Sequence, residues 1–389
     1  MMPFRSKFRF EYMVKFVITL VLVSVLLFTL TGCGGSGQNE KVDEKKEITV
    51  TDFAGRKVSV KAPVERVALA SSRDLHEFAA VAGTDFIEKI VGWGPDLKTY
   101  DKDTYDKFSE KFPEIKNIPE VGYYYTKDFS IEKVVSLNPD LLILPMFQYD
   151  LAKGDLTKFE QAGIPVVFTD FYHEPLENAT KSVTLLGQLL GQEERAQEIN
   201  KFFDEQTDIV YSKVAKINKT KPKVYVESGS KGASEYGGTY SKIGWGPIVS
   251  AAGGDNIAKD LTSDSPTITP EFLLDSDPDI IIITGSNWPA TPSSMRLGYY
   301  ADQKASKALL QGYLKRPGWD SMKAVQNQEV YSIFHTYDCR IYNFAGLQAF
   351  AKWFYPEEFK DIDPEAGLIE FHKRFMPIDY SGVWMLGLK

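Results

Sequence analysis

Ser130-Ile-Glu-Lys-Val-Val-Ser-Leu-Asn-Pro-Asp-Leu-Leu-Ile-Leu144 returns 139 residues later as Thr269-Pro-Glu-Phe-Leu-Leu-Asp-Ser-Asp-Pro-Asp-Ile-Ile-Ile-Ile283. Each copy opens on a Ser or Thr that suits a helix N-cap. Glu132 or Glu271 follows two residues on, where a carboxylate favours the helix dipole. Each copy then turns at Pro-Asp and enters four aliphatic residues. An unbroken aliphatic run suits a strand covered on both faces, hence a parallel sheet with helices on each side. Two such copies predict an α/β protein of two similar lobes with parallel-sheet cores.

The rest of the chain is read outward from these copies. Residues 48–60 alternate β-branched residues around Ala54-Gly55, the pattern of a hairpin. Residues 66–70 read as a short strand, with Asp74 as the cap of a helix over 75–82. Residues 89–91 read as another strand, and 93–118 as a polar, aromatic stretch without a clear period. Between the copies, Ala179, Val183, Leu186 and Leu190 keep helical spacing up to Gly191. Ala196, Ile199, Phe203, Val210, Val214 and Ile217 then form a second stripe, stopped by Pro222. The expected layout is an N-terminal lobe over 48–175, a helical linker over 176–217 and a C-terminal lobe over 218–389. A single long helix joining the lobes would limit their hinge motion, with a ligand cleft between them.

The first residues read as an address. Arg5, Lys7, Arg9 and Lys15 precede an apolar run over 16–30, too short for a permanent span and right for a signal h-region. It ends in Leu30-Thr-Gly-Cys33, which resembles a lipobox. Residues 1–32 therefore read as a lipoprotein signal peptide, Cys33 as the lipidated residue and 33–47 as a flexible tether. The expectation is an exported monomer, anchored by lipid to the outer face of the cytoplasmic membrane. Asn178 and Asn218 lie in sequons.

Composition removes several functions. Lys and Arg number 45 and Asp and Glu 53, a net charge of −8, which argues against nucleic acid as a partner. Two cysteines exclude a disulfide scaffold, and four dispersed histidines exclude an HExxH site. No GxSxG, P-loop or GxGxxG motif points to an enzyme.

Four further motifs carry a resemblance. They are Thr51-Asp-Phe-Ala-Gly-Arg-Lys-Val58, Glu132 with Asn138-Pro-Asp140, Ala252-Gly-Gly-Asp-Asn256 and Ala324-Val-Gln-Asn-Gln-Glu-Val-Tyr331. The tail Ala351-Lys-Trp353 with Pro356-Glu-Glu-Phe359 agrees with them. In this order the chain resembles the substrate-binding proteins of ABC importers, in the subfamily for iron-siderophore complexes, haem and cobalamin. The resemblance implies two lobes joined by one long helix, no catalysis, no intrinsic cofactor, and a partner permease with its ATPase. It also implies that Glu132 and Glu271, one per lobe, pair with arginines on the permease. The bland reading of both is a helix-end carboxylate.

Ligands of open α/β lobes sit outside the carboxyl ends of the strands. That rule selects Arg73, Trp93, the run Tyr123, Tyr124 and Tyr125, and the loop 146–149 in the first lobe. In the second it selects the loop 228–240, Trp245, Trp288 with Arg296, and His335, Tyr337 and Arg340. Arginines suit an anionic chelate, and phenols and imidazole suit iron or a flat ligand. Each also has an ordinary structural reading as an ion pair, a packed ring or a satisfied loop histidine. The expected ligand is an iron complex, siderophore or haem, with a corrinoid or a nickel chelate as the alternative.

Overall fold

The structure, a computed structural model, describes residues 45–263 and 266–389. The h-region, Cys33 and most of the tether lie outside the described residues. Strand β1 (Lys46–Thr51) already occupies the end of the stretch read as tether, and pairs antiparallel with β2 (Lys57–Ala62). In the turn between them Asp52 accepts from the Arg56 backbone N–H at 2.9 Å, and Arg56 donates onward to the Val166 carbonyl at 2.8 Å. The hairpin is thereby fastened to the edge of the first sheet.

That sheet is wholly parallel. Its strands are β3 (Val67–Leu69), β4 (Ile90–Trp93), β5 (Leu141–Pro145) and β6 (Val166–Thr169), in the order β4-β3-β5-β6. The second sheet holds β7 (Lys223–Ser228), β8 (Asp255–Asn256), β9 (Ile280–Gly285), β10 (Val330–Phe334) and β11 (Met385–Gly387), in the order β11-β10-β9-β7-β8. Only β11 runs antiparallel, on the β10 edge. Without it, both sheets follow one plan, with the second, first, third and fourth strand side by side.

The sequence repeat is also a repeat of contacts. Ser130 Oγ accepts from the Lys133 N–H and Thr269 Oγ1 from the Phe272 N–H, both at 3.2 Å. They cap the helices Ile131–Ser136 and Pro270–Ser276. Both helices leave through a left-handed residue 139 positions apart, Asn138 at φ 46° and Asp277 at φ 42°. The aspartate of each Pro-Asp then grips the start of the neighbouring first strand. Asp140 Oδ2 accepts from Glu65 and Arg66 N–H at 3.0 and 3.2 Å, and Asp279 Oδ2 from Lys223 N–H at 2.8 Å.

The linker is two helices, Pro175–Leu190 and Glu193–Val214, separated at Gly191, which takes φ 65°. The second spans about 33 Å at 1.5 Å per residue. Its Arg195 donates to Ala80 O of the first lobe at 2.6 Å and to Phe375 O at 2.9 Å. Phe202 packs against Phe344, Phe371 and Phe375 of the C-terminal helices. One apolar core therefore runs from Val67, Leu69 and Ile143 through Leu186 and Phe203 into Ile281 and Ile283. The opposite face of the first sheet closes a smaller core around Ala68, Leu142, Leu144 and Phe168. Burial on both faces explains the unbroken aliphatic runs.

Two local expectations change, and one sequon takes a definite place. Asp74 does not cap its helix: a 3-10 turn over Ser72–Asp74 leads into Leu75–Ala82, and the Asp74 side chain makes no cap bond. The 93–118 stretch contains helices Asp96–Tyr100 and Lys102–Lys111, the second capped by Asp101. Asn178 lies inside the Pro175–Leu190 helix with its Nδ2 donating to Asp170, so that sequon is not an open loop.

Candidate functional site

The carboxyl ends of the two sheets converge on a cavity of about 440 Å³, lined by both lobes. Its size is that of a small-molecule site.

The first-lobe wall is aromatic. Tyr100, Tyr123, Tyr125, Phe147 and Tyr172 line it, with adjacent rings 5.5 to 6.4 Å apart. The tyrosine run is held by its turn. Gly122 has φ 83°, and a Cβ there would stand 2.2 Å from the Asp128 carbonyl oxygen, so only glycine fits. Asp128 Oδ1 accepts from the Tyr123 N–H at 3.0 Å. Tyr125 is left 54% exposed, a free face for stacking. Burial pushes the phenols of Tyr123 and Tyr125 up, against the pull of Arg73. They therefore stack and donate hydrogen bonds as neutral phenols.

Arg73 is the cation of this wall. It follows β3, and its Nε donates to Asp96 at 3.0 Å while Nη2 donates to Tyr123 at 3.2 Å. Its guanidinium lies 5.6 Å from the ring centroids of both Tyr100 and Phe147. Asp96 is fully buried and also accepts from Ser71 Oγ at 2.6 Å and Ser72 N–H at 2.8 Å.

The second-lobe wall is small and polar: Ser228, Gly238 and Tyr240 after β7, and His335, Thr336, Asp338 and Cys339 after β10. His335 Nδ1 lies 2.8 Å from Thr284 Oγ1 and 3.1 Å from the Tyr240 hydroxyl. Trp288 meets the ring edge-on at 5.0 Å, and Trp245 Nε1 donates to the His335 carbonyl at 3.2 Å. Nε2 makes no hydrogen bond among the described residues. Burial, with Arg73 and Arg340 adding to it, lowers the imidazole to about 3. It is neutral at ordinary pH, the form that ligates metals. Burial pushes Asp338 up to about 7, against Arg340 and Arg73, and pushes the Cys339 thiol up to about 12.

Of the residues and loops selected from sequence, the cavity brings together Arg73, Tyr123, Tyr125, Phe147 from the loop 146–149, Ser228, Gly238 and Tyr240 from the loop 228–240, and His335. The other residues singled out lie elsewhere. Trp93 is buried in the core beside Tyr105. Tyr124 turns inward, stacks on Phe129 at 4.1 Å and donates to Asp155. Trp245 and Trp288 back His335. Tyr337 is buried and stacks on Trp384. Arg296 is taken by Asp103. Arg340, 2% exposed, faces Glu77 at 3.8 Å beneath the cavity floor. Sequence reasoning missed Tyr100 and Tyr172. Tyr172 follows β6, and reading 164–169 as a strand would have placed it in a carboxyl-end loop. Glu132 and Glu271 are exposed, and neither forms a salt bridge among the described residues.

Comparison with known proteins agrees with this geometry. The profile of a family described as periplasmic binding protein matches residues 80–335. The TroA-like periplasmic binding protein FepB from Veillonella parvula is 42% identical, with a TM-score of 0.82 over 88% of this chain and 100% of that one. An uncharacterized ABC transporter substrate-binding lipoprotein, YvrC of Bacillus subtilis, is 25% identical over 88% of this chain and 97% of its own length. The high-affinity heme uptake system protein IsdE of Staphylococcus aureus is 26% identical over 56% of this chain and 67% of its own.

Proposed function

We propose, from the premise that this chain belongs to the periplasmic binding protein family, that it captures an iron complex, a siderophore or haem, and delivers it to an ABC permease. One observation carries the reading: an aromatic wall bearing Arg73 faces a neutral imidazole whose Nε2 has no hydrogen bond among the described residues. The rings suit a flat or catechol-like face, Arg73 an anionic group, and His335 an open metal position. The relation to a heme uptake protein supports the same class. Relatives named as substrate-binding proteins support transport without catalysis. The cavity alone suits a corrinoid or a nickel chelate as well.

A titration of tryptophan fluorescence with ferric siderophores, haem, corrinoids and nickel–histidine tests this. Binding of an iron complex tighter than about 10 μM, roughly −7 kcal/mol, is expected. Binding of only a corrinoid or nickel–histidine overturns the iron reading, and binding of none overturns the cleft as the site. Metal analysis and mass spectrometry on protein from its host give an independent answer.

Delivery is assigned to Glu132 and Glu271. Their equivalent places in the two lobes suit a permease with twofold symmetry. The double variant Glu132→Ala with Glu271→Ala should keep ligand affinity and lose transport. Normal transport, with only the loss of about 0.3–1 kcal/mol per helix end, would reduce both to helix-end carboxylates. Anchoring through Cys33 is checked by fatty-acid labelling: Cys33→Ser should take up no label where the natural protein does.

A further inference from the structure

Beside the cavity, one helix of the first lobe reaches across to the second. Helix Lys102–Lys111 follows Tyr100, whose ring lines the cavity, and meets the segment that follows β9. Asp103 is 1% exposed, yet all its side-chain partners belong to the other lobe. Asn287 Nδ2 donates to Oδ1 at 2.7 Å, Arg296 Nη2 to Oδ1 at 2.8 Å, and the Tyr300 N–H to Oδ2 at 3.1 Å. Ser286 Oγ donates to the Tyr100 carbonyl at 3.3 Å, and Lys107 Nζ to Ser381 Oγ at 3.1 Å. Gly298 approaches so closely that a Cβ there would stand 3.1 Å from Asp103 Oδ2.

The lobes meet elsewhere through the shared apolar core, which resists sliding because packed cores are not continuously deformable, and through buried polar contacts at its cavity end, among them Gly244 N–H to the Tyr172 carbonyl at 2.9 Å and the Tyr342 hydroxyl with His76 Nδ1 at 2.8 Å. The Asp103 contacts are directional and short, and a shift of about 1 Å along the interface breaks them. The Arg296 side chain is 26% exposed, so water can take the place of the carboxylate there. A carboxylate buried only while the lobes hold this spacing ties its hydration to that spacing.

We propose that Asp103 is a latch between the lobes: it sets their separation, and so the width of the cavity beside it, and the cleft opens by its release. The inference does not rest on the identity of the ligand. Its test needs none either. Hydrogen–deuterium exchange is followed on the ligand-free full chain, natural and with Asp103→Asn or Arg296→Lys. Asp103→Asn should speed exchange about fivefold or more in segments 99–111 and 286–300, the Tyr300 amide foremost, with β5 and β9 unchanged. Arg296→Lys, which keeps the charge, should give a smaller rise in the same two segments. Exchange there within twofold of the natural chain in both variants overturns the latch. So does an equal rise in β5 and β9, which marks general loosening.

Discussion

Each lobe buries a carboxylate against an arginine behind its cavity wall, and the two pairs are used differently. In the first lobe Asp96 holds only the Nε of Arg73, and the guanidinium continues into the cavity between two rings. In the second, Glu227 takes Arg316 Nη1 and Nη2 at 2.7 and 2.9 Å. Nε and Nη2 also donate to the carbonyls of Gly232, Ala233 and Glu235, and Tyr236, Tyr313 and Trp319 surround the cation. Arg316 is buried and does not line the cavity. The same carboxylate–arginine pairing leaves donors free at the cavity in one lobe and staples a loop in the other.

Three experiments can break or sharpen that contrast. The largest effect is expected from Glu227→Ala. It strands a buried guanidinium and frees the loop that carries Tyr240, at a cost of about 3–5 kcal/mol. For a folded unit of this size that lowers the melting temperature by about 4–7 °C, measurable by calorimetry. A change below about 1 °C would mean that the aromatic cage alone holds the loop.

His335→Ala comes next. If His335 donates to the metal as proposed, its loss should weaken binding of the iron complex about tenfold to a hundredfold, by fluorescence titration; the Thr284 and Tyr240 hydroxyls it leaves behind add a stability cost of about 1–3 kcal/mol. The pH profile adds a sign. The imidazole is depressed below its ordinary value, to about 3, so it stays unprotonated through pH 5–8. Binding should be level there and fall only as the pH approaches 3. From 6.5 downward the unfolded chain takes a proton that the folded His335 refuses, so this residue lowers stability on the acid side. A ring carbon shift that titrates near pH 6.5 in the folded protein would contradict the burial argument.

Tyr125→Ala should have the smallest effect. Its ring is more than half exposed and its hydroxyl only donates to Phe147 O. Binding should weaken about threefold to tenfold, since a stacking partner is worth about 0.5–1.5 kcal/mol, with no loss of stability. An equal loss from Tyr124→Phe would show that the turn matters rather than the exposed face.

The repeat made the architecture legible from sequence because period and turn chemistry are local. Four aliphatics after Pro-Asp permit few environments, and the matched caps at Ser130 and Thr269 fixed where each helix begins. The cavity was legible only in part, because loop residues are placed by contacts far along the chain. Nothing near Arg296 in sequence announces Asp103, and nothing near Arg340 announces Glu77. Tyr123, Tyr124 and Tyr125 are the same residue type in a row, and only the turn set by Gly122 decides that the middle ring goes inward. Trp93 ends β4 and Trp245 opens a helix, each in a Gly-Trp-Gly-Pro stretch, and both go to the interior, where large rings bury the most surface.

The shared core has a consequence for the lobes as units. They repeat one plan of strands, yet neither is a spare copy of the other. A chain cut before Lys223 would leave Leu186 and Phe203 facing water where they now face the second half. A chain begun there would lose the helix that shields Phe344 and Phe371. Symmetry of design is joined here to indivisibility in practice, and melting should pass through one transition, with no stage at which half the molecule survives alone.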